Sequence, residues 1–102
     1  MFEKWASLSE NLGKAGSEEG IILLDDELPG VARVSIEKKF SEHLGKDIYP
    51  ITMGVYGWLV HTAFFSAWED ALECADSMKL IIQVMENRDS WQADTKTVPP
   101  EI

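Results

Sequence analysis

Few residues in this chain have the types and spacing that catalysis or metal binding needs. There are two histidines, His43 and His61, and one cysteine, Cys74, so a zinc site of four nitrogen and sulfur ligands cannot be assembled. His43 falls in a polar loop and reads as a solvated side chain. His61 falls in an apolar strand, where a half-buried histidine satisfied by one hydrogen bond outweighs a general base. A nucleophile would have to be Cys74, Ser66 or Ser77 placed beside His61. Ser66 is better explained as a helix cap. Cys74 lies on the apolar margin of a helix, away from the N-terminal turn that would lower its pKa.

The other motifs are equally spare. Asp25-Asp26-Glu27 lacks the alternating ligands and central glycine of a calcium loop, and reads as a solvated charged turn. Gly54-x-x-Gly57 has no following helix and no lysine, so it is not a phosphate cradle. Tyr49, Tyr56, Trp58, Phe64 and Phe65 have no Lys or Arg between them, which favours a core over a base-stacking platform. The remaining small-ligand candidate is a pocket between sheet and helix involving His61, Tyr56 and Trp58. The reading names no catalytic residue, no cofactor and no metal.

Residues 66–87 read as one amphipathic helix on which the rest is organised. Ser66 with Glu69 three positions later forms a capping box, and Glu69 and Asp70 suit the positive end of the helix dipole. Trp68, Ala71, Leu72, Ala75, Met78, Ile82 and Met85 share one face, widened by Cys74 and Ile81. Leu80 and Val84 add a second apolar patch among the polar positions, to be covered by the N-terminal helix, the C-terminal tail or a second copy of the chain.

The strands precede it. Residues 20–40 read as a hairpin around Leu28-Pro29-Gly30, with glycine supplying the positive φ of a type II turn. On the returning strand Ala32, Val34, Ile36 and Phe40 point inward, and Arg33, Ser35, Glu37 and Lys39 point to water. A second hairpin joins residues 49–55 and 58–65 through Tyr56-Gly57. Its last strand is apolar on both sides, Trp58, Val60, Thr62 and Phe64 against Leu59, His61, Ala63 and Phe65, as a central strand covered on both faces would be. Residues 1–13 read as a short helix carrying Phe2, Trp5, Leu8 and Leu12. Residues 88–102 read as an extended tail anchored by Trp91, in cis or in trans.

The expected architecture is therefore one α+β domain over residues 1–102, ordered α-β-β-β-β-α. A four-stranded antiparallel sheet of two hairpins (residues 20–65) lies under the long helix. The formal charge of −9 argues against nucleic acid, whose phosphates need clustered Lys and Arg. The lone cysteine fits a reducing cytoplasm. No apolar run is long enough to span a membrane, and the N-terminus lacks the apolar stretch of a signal peptide. Three functions fit these limits. The first is a non-catalytic protein-interaction or regulatory module acting as a homodimer, with Leu80, Val84, Trp91, Phe2 and Trp5 as its surface. The second is an acidic inhibitor, of the immunity type, that binds a basic protein partner. The third is a ligand binder or enzyme with its pocket near His61.

Overall fold

The computed structural model describes residues 4–86. The fold is α+β: one antiparallel sheet of five strands in sequential order, followed by one C-terminal helix. The strands are β1 (Ala6–Ser7), β2 (Ile21–Leu28), β3 (Ala32–Ser41), β4 (Lys46–Val55) and β5 (Leu59–Phe65), and the helix α1 is Trp68–Glu86. Each strand pairs with the next, so the sheet is a simple meander.

The β2–β3 turn forms at Pro29-Gly30: proline sets φ for the first turn residue, Gly30 takes φ +78°, and Val31 N–H donates to the Leu28 carbonyl at 2.9 Å. Register then sorts the side chains. Leu28 stands opposite Ala32, Asp26 opposite Val34, and Leu24 opposite Ile36. The same face continues through Val55, Met53 and Ile51 on β4 and Leu59, His61 and Ala63 on β5. Helix α1 lies on this face over β3, β4 and β5. Ala71 and Ala75 are buried at the contact, where their small side chains let the helix come close to Val34, Ile36 and Ile51. Trp68 meets Tyr49 edge to face, ring centroids 6.0 Å apart.

Several expectations are corrected. The sheet has five strands, not four, and the described part of the N-terminal segment, residues 4–13, holds no α-helix. Trp5 is buried in the core, and this anchor leads the chain into β1, where Ala6 and Ser7 pair with Glu27 and Asp26. Only a single 3₁₀ turn follows, at Ser9–Asn11. Tertiary pairing overrides a weak helical pattern too short to stand alone. Burial also removes Trp5 from the expected interaction surface; Phe2 and Trp91 lie outside the described residues, as does the tail.

Among the described residues β5 is an edge strand, not a central one: the meander ends with it, and Trp58, Leu59, Val60 and Phe64 are exposed. Pro50 lies on β4, between β3 and β5. It is tolerated because the β3–β4 ladder skips from Ile36 opposite Ile51 to Lys39 opposite Ile48, so no partner there awaits an N–H. The helix opens at Trp68, two residues past the expected cap at Ser66. Phe40 faces the helix side but runs past the end of its cover and is exposed.

Candidate functional site

The face opposite the helix is concave. Loop 11–17 curls over it from the β2 side, and the β4–β5 turn with Trp58, Leu59 and Val60 rises on the other, leaving an open groove of about 780 Å³. Pairing of Arg33 with Gly54 and of Ser35 with Thr52 puts these four residues together on the floor. Gly54 has no side chain there, so the floor is lowest between Arg33 and Val60, which stands opposite Gly54 on β5.

The polar groups under the groove are fixed by buried partners. Asp25 is 0% exposed. It accepts from Arg33 Nε at 2.7 Å, from Arg33 Nη2, and from Asn11 Nδ2 at 3.0 Å. This hydrogen bond and the negative charge of Asp25 raise the Arg33 pKa above its ordinary value against the opposing effect of burial. Glu37 is 1% exposed and forms no ion pair among the described residues. Its two oxygens instead accept the backbone N–H groups of Gly20 (2.8 Å) and Glu18 (3.1 Å). Gly20 sits so close that a Cβ there would lie 2.7 Å from the Lys38 carbonyl oxygen. The loop wall is thus pinned to the sheet by a buried carboxylate.

The three adjacent acids separate. Strand alternation sends Asp25 to Arg33 on the groove face and Asp26 to Lys79 of α1 on the helix face, while Glu27 accepts from Tyr56 Oη at 2.5 Å. The expected solvated turn is therefore three separate polar contacts inside a strand, and the carboxylates do not converge on a cation. Among the described residues no cluster of three or more His, Cys, Asp or Glu side chains could hold a metal. Burial, then the Glu27 hydrogen bond, raises the Tyr56 phenol above its ordinary 10.0.

Of the three residues expected around a pocket, Tyr56 and Trp58 line the groove, whereas His61 projects from the opposite face of β5, exposed, opposite Met53. The structure does not bring His61 together with them, and the groove lies on the face of the sheet away from the helix. Leu80 and Val84 are exposed on α1, with Ile81 and Met85 beside them. His43 is exposed in the turn between β3 and β4.

Cys74 packs at the margin of the core, and burial raises its thiol above the ordinary 9.0. A thiol-specific disulfide reagent at pH 8 should therefore react several-fold more slowly with the folded chain than with the same chain in urea, on the order of tenfold; equal rates would contradict this placement. Because the folded pKa is the higher one, the unfolded chain ionises first, and this thiol's contribution to stability declines as pH climbs past 9.0.

Three buried charges escape the sequence, Asp25 and Glu37 on strands and Lys79 on α1, because strand alternation and helical period alike assign charged residues to water. Lys79 also stands over the Trp5 ring, 6.0 Å from its centroid. No helix among the described residues is long and apolar enough to cross a membrane. The chain matches no protein-family model, no curated protein and no solved structure.

Proposed function

We propose that this protein is a non-catalytic interaction module that works as a homodimer, with the edge of β5 that is unpaired among the described residues as the seam between the copies. One observation carries the reading: in a chain of formal charge −9, Leu59–Phe65 contains no Asp, Glu, Lys or Arg, yet Val60 is 76% and Phe64 57% exposed. Edge strands are ordinarily guarded by charge, proline or a bulge, because their unpaired N–H and C=O groups invite another strand. β5 has none of these guards.

The strand complements itself. Antiparallel pairing about Thr62 sets Val60 against the second copy's Phe64 on one face and Leu59 against its Phe65 on the other. These are the aromatic–aliphatic cross-strand contacts that stabilise sheets. Assembly stops at two copies because the opposite edge is occupied. Outside β2 lie β1, then Leu8 donating to Asp25 at 2.7 Å, Gly13 donating to Ile22 at 2.8 Å and Lys14 accepting from Ile22 at 2.9 Å. A two-fold seam with one open edge per copy closes.

Size exclusion with light scattering tests this at about 0.05 M and about 0.5 M salt. Twice the chain mass of 11.5 kDa is expected, with tighter association at the higher salt, since screening relieves the repulsion between two acidic copies. Phe64→Lys should return the mass to that of a monomer, whereas Phe40→Lys, at an equally exposed phenylalanine outside the seam, should leave it doubled. A parent chain that stays monomeric at both salts ends the proposal.

The second reading, an acidic inhibitor of a basic protein, is favoured by the exposed acids Glu69, Asp70, Glu73 and Asp76 along the first turns of α1. Capture of a basic partner lost on raising the salt would select it.

A further inference from the structure

We infer that the groove on the face away from the helix is a binding site for a small ligand that combines an aromatic or branched apolar body with a free carboxylate. This goes beyond the dimer proposal: Val60 stands at the rim of both surfaces, but the groove's donors on Arg33, Thr52 and Lys14 lie away from the β5 edge that forms the seam.

The argument starts from what the groove's polar groups have left to offer. Among the described residues Glu37 is the one carboxylate lining it, and both its oxygens are taken by the amides of Glu18 and Gly20. Arg33 gives Nε and Nη2 to Asp25, which holds the guanidinium in one orientation with its side chain 42% exposed. Nη1 has no partner among the described residues. Lys14 adds a second cation on the loop wall. On a strongly acidic protein this groove therefore presents donors, and a donor-rich site takes an acceptor.

Thr52 points the same way. Its Oγ1 is buried without a hydrogen-bond partner among the described residues, on the floor beside Arg33 and Gly54. A buried hydroxyl left unmatched costs free energy until a water or a ligand atom meets it. A carboxylate seated over Gly54 would lie beside Arg33, which stands opposite Gly54, with Thr52 two positions away on the same strand. The far wall supplies the apolar half: Trp58 is largely exposed with Val60 beside it, and a flat ring can lie against both. The walls are set in advance, by Glu37 on one side and by the Tyr56–Glu27 hydrogen bond on the other, so binding needs little reordering.

The test titrates 3-phenylpropionate, its uncharged analogue 3-phenylpropionamide, and the peptide acetyl-Gly-Gly-Phe with a free C-terminus into the full chain, read by amide chemical shifts. Saturable shifts at Thr52, Gly54 and Val60 are expected, with the amide binding roughly tenfold more weakly because it loses the charge-assisted hydrogen bonds. A peptide that binds more tightly than 3-phenylpropionate would identify a protein C-terminus as the source of the carboxylate, and the reverse a free acid. Thr52→Val should weaken the acid about fivefold while raising the melting temperature of the free protein, because it removes an unmatched hydroxyl. Lys14→Gln should weaken it about threefold without touching the fold. A hydroxyl with a purely structural role would move the other way, so a lower melting temperature in Thr52→Val overturns the assignment. So does equal binding of acid and amide, or shifts confined to the helix face. Light scattering on the same samples keeps failure of the groove separate from failure of the dimer.

Discussion

Replacing Arg33 with leucine should destabilise the fold by about 3 kcal/mol, the order expected when one partner of a buried ion pair is removed. The cost comes less from the lost attraction than from what stays behind. Asp25 is fully buried, and without the guanidinium its carboxylate keeps, among the described residues, the Asn11 side-chain amide alone as a side-chain partner. The reverse change, Asp25→Asn, should cost less, about 1 kcal/mol, because the half-exposed Arg33 can turn to water. Urea titrations of the two variants check this order. If Arg33→Leu costs no more than Asp25→Asn, then Asp25 reaches water once its cation is gone, and the groove floor is not a rigid platform.

Much of this architecture is legible in the sequence because it rests on local rules. Pro29-Gly30 and Tyr56-Gly57 mark two of the three hairpin turns that join β2 to β5, and alternation from Ala32 to Ile36 sorts the faces of β3 as found. The helix face through Ala71, Ala75 and Ile82 follows from its period. What failed to show depends on long-range partners. Trp5 sits in a pattern equally compatible with a helix until β2 is present to pair with Ala6 and Ser7. The two-sided apolar character of Leu59–Phe65 reads as burial, since patterning reports what a strand can bury and not what lies beside it. Here the strand ends the sheet, which turns an expected core element into the exposed feature on which the dimer proposal stands. The groove was invisible for a similar reason. Its floor is made by Arg33, Ser35 and Thr52, which alternation assigns to water, and only the fold of loop 11–17 over that surface makes it concave. His61 was singled out on residue type, and strand parity alone separates it from Tyr56 and Trp58.

Glu37 concentrates that lesson, and Glu37→Ala should have the second of the two largest effects, a loss of about 2–3 kcal/mol. A glutamate on the polar side of an alternating strand is ordinarily solvated and can be truncated at little cost. This one holds two backbone N–H groups, Gly20 at 2.8 Å and Glu18 at 3.1 Å, that have no strand to pair with. Truncation leaves both donors unmatched beneath a loop that packs closely enough to exclude a Cβ at Gly20. The damage should be local. Amide hydrogen exchange at Glu18 and Gly20 should accelerate by on the order of a hundredfold, while the amides joining β3 to β4 keep their protection. Glu37→Gln retains one acceptor oxygen but points an N–H₂ group at the second donor, so it should recover no more than half of the loss. If both variants are as stable as the parent, or if exchange quickens evenly over the sheet, the loop is held by something other than this carboxylate. The groove's wall would then be movable, and a carboxylate ligand would have to order it on arrival, with a correspondingly lower affinity.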